Sequence, residues 1–140
     1  MARQLQVAID CRDPDRLAAF WREVLEYRLQ RPPAGHDTWS DFSRAAAAER
    51  DEAWAVVEDP LGIGPIVLFH RVPEAKITKN RVHLDIRVAP GADKATARPF
   101  VDAEVQRLIG LGATHTRTDD DESDYYAVMQ DPEGNEFCIG

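Results

Sequence analysis

The sequence predicts an α+β protein built from two copies of one strand-helix-strand-strand-strand unit, related as a pseudo-two-fold repeat. Three observations predict it. Trp54-Ala55-Val56-Val57-Glu58-Asp59-Pro60-Leu61-Gly62 returns as Tyr126-Ala127-Val128-Met129-Gln130-Asp131-Pro132-Glu133-Gly134. Each copy leads into a second apolar run, Ile66-Val67-Leu68-Phe69 in one and Phe137-Cys138-Ile139 in the other. Each copy is also preceded by an alternating strand pattern and an amphipathic helix pattern. A repeat of about half the chain implies two copies of one supersecondary unit, because a solenoid needs three or more.

In the first copy, Leu5, Val7, Ile9 and Cys11 alternate with Gln4, Gln6, Ala8 and Asp10, the period of a half-buried strand. Leu5, Val7 and Ile9 are expected to pack. Asp13-Pro14 opens a helix, with Asp13 as cap and Pro14 at the first helical position, where its missing N–H costs nothing. Leu17, Phe20, Trp21, Val24 and Leu25 form one apolar stripe. A short strand fits around Arg28–Arg31 before Pro32-Pro33, and Ser43–Arg50, with its run of alanines, is a short helix candidate.

The second copy begins at Arg81. Val82, Leu84, Ile86 and Val88 alternate with His83, Asp85 and Arg87, and Val82, Leu84 and Ile86 are expected to pack. Pro90-Gly91 breaks the strand. A helix follows over roughly Arg98 to Ile109, with Val101, Val105, Leu108 and Ile109 inward and Gly110 and Gly112 at its end. Strands are expected at Thr114–Thr118, Tyr125–Gln130 and Asn135–Ile139. The acidic run Asp119–Asp124 lacks the spaced ligands of a calcium loop and reads as a solvated hairpin turn. The modules cover about 1–75 and 80–140, and the short basic link between them favours one domain.

A chain of 140 residues with this composition buries a stable core without staples. No apolar run approaches membrane-spanning length, and Met1–Gln4 leads into strand pattern without a signal-peptide segment. Two cysteines, Cys11 and Cys138, are too few for a disulfide framework and suit a reducing compartment, so cytoplasmic residence is expected. A net charge of −8 argues against nucleic acid as partner.

Paired modules of this order with Asp-Pro-x-Gly turns resemble the vicinal oxygen chelate superfamily, which includes glyoxalase I, extradiol dioxygenases and bleomycin-resistance proteins. Within it the chain is similar to small glyoxalase-like proteins. The resemblance is carried by Asp10-Cys11-Arg12-Asp13-Pro14 through Phe20-Trp21, by Arg71-Val72-Pro73-Glu74, by Asn80-Arg81-Val82-His83-Leu84-Asp85, and by Leu111-Gly112-Ala113-Thr114 with Asp131 through Cys138. It implies a curled mixed sheet with a concave cavity and the helices outside, and a homodimer. Gln6, Ala8 and Asp10 would face the cavity from the first module, and His83, Asp85 and Arg87 from the second.

In metal-binding members of the superfamily, the positions of Gln6 and His83 carry ligands, and glutamates on each module's last strand complete the set. Here those glutamates are absent. Cys138 stands at one such position, and Leu68 or His70 at the other, depending on register. The resemblance thus offers Gln6, His83, Cys138 and His70 as a set for zinc, nickel, manganese or iron, with Asp10 or Asp85 as a candidate base. Such a centre would serve a lyase, isomerase or dioxygenase acting on vicinal oxygens. The other implied role is a cavity binding a small organic molecule without turnover, stacked between Trp54 and Tyr126 and oriented by Arg87. Each residue also has a plainer reading: His83 and Gln6 as polar lining, Cys138 as a small buried hydrophobe, and Trp39, Trp54 and Tyr126 as core. Cys11 faces the helix layer, and His36 and His115 read as surface residues.

Overall fold

The computed structural model describes residues 3–46 and 53–140 of the chain. These fall into two compact units, residues 1–75 and 76–140. In order, the first contains β1 (Gln6–Cys11), α1 (Pro14–Leu25), β2 (Arg28–Leu29), α2 (Trp39–Ala46), β3 (Trp54–Glu58) and β4 (Ile66–Arg71). The second contains β5 (Leu84–Ile86), α3 (Lys94–Gly110), β6 (Thr114–Asp120), β7 (Tyr125–Gln130) and β8 (Glu136–Ile139). Each unit has one four-stranded mixed sheet, ordered β1-β4-β3-β2 in the first and β5-β8-β7-β6 in the second. In both, the outer first strand pairs parallel to the last, and the remaining ladders are antiparallel. The repeat read in the sequence is therefore a repeat of topology, with α2 as an insertion in the first copy.

The first unit forms as its local signals direct. Asp13 caps α1 by accepting from Arg16 N at 3.1 Å, and Pro14 follows at the start of the helix. Leu17, Ala18, Phe20, Trp21 and Val24 are buried against the sheet, where Val57, Val67 and Phe69 are also closed to solvent. Alternation then leaves Gln6, Ala8 and Asp10 on the open face of β1.

Several expectations need correction. Leu5 is 69% exposed rather than packed, because β1 starts at Gln6, the first residue with a partner on β4. Val82 is 79% exposed for the same reason: β8 offers β5 partners only for Leu84, Asp85 and Ile86. The inserted helix starts at Trp39, four residues before Ser43, because Thr38 Oγ1 accepts from Asp41 N at 3.0 Å and fixes the first turn. Residues 47–50 of the expected Ser43–Arg50 helix lie outside the described residues.

Helix α3 begins at Lys94 rather than near Arg98. The Asp93 carboxylate accepts from Thr96 N at 2.8 Å, and the helix carries Pro99 in its interior without stopping. Its end is a Schellman arrangement. Ala113 N donates to Leu108 O at 3.0 Å and Gly112 N to Ile109 O at 3.1 Å, with Gly112 at φ 106°. Val101, Val105 and Leu108 are buried as expected, but Ile109 is on the exposed side. Polar contacts tie α3 to the β6–β7 hairpin: Tyr125 Oη donates to Asp102 at 2.5 Å, and Lys94 and Arg98 both meet Asp120. The acidic turn is indeed a hairpin, with the Asp121 carboxylate accepting from Ser123 N and Asp124 N.

Two predictions follow from this packing. Phe137→Ala, at a side chain 1% exposed, should cost about 3–5 kcal/mol in urea denaturation, whereas Val82→Ser should stay within about 0.5 kcal/mol. Hydrogen bonding from the Thr96 backbone and side chain holds the Asp93 carboxyl below its ordinary value. Its contribution is therefore present above the unfolded carboxylate pKa of about 3.9 and is lost as pH falls below it. Asp93→Asn, which still caps, should flatten the acid limb of the stability–pH curve.

Candidate functional site

The alternation that buries Phe137 and Ile139 of β8 turns Cys138 to the opposite, open face of the second unit's sheet. Asp85 faces Cys138 across the parallel β5–β8 ladder. His83 and Arg87 flank Asp85 at the same parity just outside β5. The Arg87 rung is fixed from both sides, because Gly140 N donates to Ile86 O at 2.9 Å and Val88 N to Gly140 O at 2.8 Å. A Cβ at Gly140 would lie 3.3 Å from Tyr126 Cβ and 3.5 Å from an Arg87 guanidinium nitrogen, so glycine leaves these two side chains their places.

His83 Nδ1 lies 3.7 Å from Asp85 Oδ1, and the donor atoms of His83, Asp85 and Cys138 all lie within 4.8 Å of one another. Burial pushes the Cys138 thiol above its ordinary pKa, and the charge and hydrogen bond of Asp85 add to this. These residues, with Arg87 and Tyr126, line a cavity of about 160 Å³. Arg87 reaches toward Asp124 at 3.9 Å. The Tyr126 hydroxyl is hydrogen-bonded to Asp119, which raises its pKa, and Arg117 bonds the same carboxylate at 2.9 Å. Glu136, two residues before Cys138, accepts from Asn80 N at 2.9 Å and pairs with Lys76 at 3.0 Å. Burial pushes its carboxyl up, but these bonds outweigh it and hold the pKa down.

In the first unit, Gln6 pairs with Ile66, Ala8 with Leu68 and Asp10 with His70. The register settles which residue matches Cys138. Leu68 stands between Ala8 and Val56 as Cys138 stands between Asp85 and Val128, while His70 sits one rung further, opposite Trp54. The His70 ring approaches Asp10 at 3.8 Å. Gln6 and His70 thus belong to the first unit, whereas His83, Asp85, Arg87, Tyr126 and Cys138 meet in the second. Trp54 is half-buried and packs edgewise on Phe42 at 6.1 Å, in a group with Trp39 and His36. Cys11 is buried, as read from its parity. His36 has its ring on Phe42, and His115 bonds Thr118 Oγ1 at 2.9 Å.

Sequence reasoning missed Arg117 and Asp119. A bulge between His115 and Arg117 shifts the β6–β7 register, so odd-numbered residues of β6 come to face Val128 and Tyr126. Simple alternation from Thr114 places them on the other side.

Two βαβββ units, one with a polar cavity on its open sheet face, define the glyoxalase/bleomycin resistance/dioxygenase fold of the vicinal oxygen chelate superfamily. The chain belongs to the glyoxalase-like domain family, which matches residues 6–140. Comparison with curated proteins yields no match. Among solved structures, a glyoxalase/bleomycin resistance protein/dioxygenase family enzyme from Burkholderia phytofirmans PsJN is 18% identical with a TM-score of 0.63, covering 96% of this chain and 94% of that one. The fosfomycin resistance protein FosX from Mesorhizobium loti is 12% identical at a TM-score of 0.64, covering 99% and 90%. A mutant FosX from Listeria monocytogenes, complexed with Mn(II) and 1S,2S-dihydroxypropylphosphonic acid, is 11% identical at 0.66, covering 99% and 90%. At these identities the likeness shows the fold. No helix among the described residues is long and apolar enough to cross a membrane.

The raised thiol pKa has a direct readout. At pH 8, iodoacetamide should alkylate Cys138 more slowly than an unhindered thiol, and Asp85→Asn should speed the reaction. An alkylation rate equal to that of free cysteine would contradict the described surroundings of the sulfur.

Proposed function

We propose that this protein binds a small organic anion on the open face of the second unit's sheet. One observation carries the reading: a cavity of about 160 Å³ in which the Arg87 guanidinium, the Tyr126 ring and the His83, Asp85 and Cys138 side chains meet. The Arg87 side chain is 60% exposed and 3.9 Å from Asp124, which leaves its donor fork available to a carboxylate or similar oxyanion. The Tyr126 hydroxyl is engaged by Asp119, so its ring serves the apolar, planar part of the ligand. The cavity is smaller than the roughly 300–1,000 Å³ of drug-sized sites and suits a compact molecule. The net charge of −8 opposes an anion at long range, but salt screens beyond about 8 Å, so the balance at the cavity is set by Arg87 against Asp85 and Asp124. In this reading Trp54 packs on Phe42, Asp10 partners His70, and Gln6 lines the open face of β1.

A second reading, a divalent-metal-dependent lyase, isomerase or dioxygenase, is favoured by the convergence of His83, Asp85 and Cys138. Imidazole, carboxylate and thiol are the donor types that divalent transition metals take. A bound ion would act as Lewis acid toward a ligand oxygen, while Arg87 oriented the ligand beside it. Cys11 and Cys138 are not joined in a disulfide, which accords with a cytoplasmic setting, and a homodimer accompanies either reading.

Binding is tested by a thermal-shift screen of aromatic and aliphatic monocarboxylates, followed by titration calorimetry. Arg87→Ala should weaken the best ligand about tenfold or more, since a charge-assisted hydrogen bond contributes about 1.5–3 kcal/mol. Ligands that bind equally well to Arg87→Ala, or no ligand at all, would sink the anion reading.

A further inference from the structure

We infer that the anion bound at Arg87 carries an ammonium group beside its carboxylate, so that the molecule recognised is a compact α-amino-acid zwitterion. Arg87 takes the carboxylate and Asp124 takes the ammonium. The inference rests on the anion reading above and deepens it by naming the class of ligand.

The charges lining the cavity point to it. They are one guanidinium, Arg87, and two carboxylates, Asp85 and Asp124, beside the His83 ring. A simple carboxylate placed on Arg87 brings a third negative charge among two others. An adjacent ammonium turns one of those repulsions into a charge-assisted hydrogen bond.

The two carboxylates are not equivalent. Asp85 is hydrogen-bonded to the Cys138 thiol and lies 3.7 Å from His83 Nδ1, so it already has neighbours. Asp124 is positioned by the hairpin backbone instead. Its Oδ1 accepts from Tyr125 N at 2.9 Å, and its own N–H donates to Asp121 Oδ1 at 2.8 Å. The side chain is 45% exposed, with Oδ2 open to a ligand.

Arg87 and Asp124 are close without being locked together. Arg87 Nη1 lies 3.9 Å from Asp124 Oδ1, at the outer limit of an ion pair. A tight bidentate pair would satisfy each group with the other. At this separation the guanidinium keeps its fork and the carboxylate keeps an oxygen. An α-amino acid bears its two charged groups on a single carbon, so one small molecule reaches both, with its side chain against Tyr126.

Lys94 accounts for the second group being an amine rather than another carboxylate. Arg87, Asp124 and Gly140 also line an adjoining cavity of about 270 Å³, which Lys94 borders. The Lys94 ammonium is committed, 2.6 Å from Asp120 and bonded to the Asp121 carbonyl. A dicarboxylate therefore finds Arg87 but no lysine for its other end.

The repeat supplies an internal contrast. Asp10 holds the rung in the first unit that Arg87 holds in the second, and its neighbour is the His70 ring at 3.8 Å. The sheet thus needs no guanidinium at this rung. Opposite Arg87 stands Gly140, where even a Cβ would come 3.5 Å from the guanidinium.

Calorimetric titration of the full chain at pH 7 tests the inference. Phenylalanine is compared with hydrocinnamate and phenethylamine, and leucine with isocaproate and isopentylamine; each set shares one skeleton and differs in its charged groups. The amino acid should bind about tenfold tighter than its des-amino carboxylate, the scale of one hydrogen bond to a charged group. Succinate should show no such gain. Asp124→Asn keeps an acceptor for Tyr125 N, and circular dichroism should show it folded. It should erase the preference by weakening the amino acids alone, whereas Asp85→Asn should leave the preference in place. Equal affinity for amino acids and des-amino carboxylates, or a preference that survives Asp124→Asn, overturns this inference and leaves the anion reading standing. If neither kind of molecule binds, both fall.

Discussion

Burial of Phe137 and Ile139 is the constraint from which the site follows. Both side chains are closed to solvent in the second unit, where β7 and β8 contact α3. Strand geometry then leaves Cys138 no choice of side. Pairing with β8 sets Asp85 opposite it, and the rungs on either side set His83 and Arg87. A polar cluster of this kind on an isolated strand would be a chance arrangement. Here it is held in register by apolar packing that contains none of its members.

The two units show what that packing leaves undetermined. Phe69 and Val67 anchor β4 as Phe137 and Ile139 anchor β8, with the same parallel neighbour and the same antiparallel partner. The open face above them is Gln6, Ala8 and Leu68 in one unit and His83, Asp85 and Cys138 in the other. Core and face are thus separable, so chemistry can be exchanged on the face without disturbing the fold. The aromatic rung shows the same divergence: Trp54 is taken up by Phe42 beside the inserted α2, while Tyr126 lines the cavity.

Much of this was legible in the sequence because it is local and periodic. The repeated Asp-Pro-x-Gly turns, the cap at Asp13 and the alternation in β1 and β7 fixed the order of elements, and counting from Gly134 put Cys138 on the right face. The expected helix start near Arg98 sits one residue before Pro99, which lies inside α3 rather than at its beginning. The choice between Leu68 and His70 depended on a register that only the β3–β4 ladder sets. Arg117 and Asp119 were out of reach because a bulge leaves no signature in side-chain alternation. Leu5 and Val82 misled for a simple reason: an apolar residue at the right parity is not buried where its strand has no neighbour.

The parallel pairing of β5 with β8 also bears on how the chain assembles. A polypeptide made from its N-terminus presents His83 and Asp85 well before the strand that receives them. Until β8 arrives, β5 has no ladder partner, and Lys76 and Asn80 lack the Glu136 carboxylate that secures them. Helix α3 and the β6–β7 hairpin, by contrast, close through contacts nearer in sequence. The long separation in sequence between β5 and β8 makes their pairing the entropically costly, late event of this unit. The open face of this sheet is consequently among the last parts to be ordered, and its completion coincides with completion of the core beneath it.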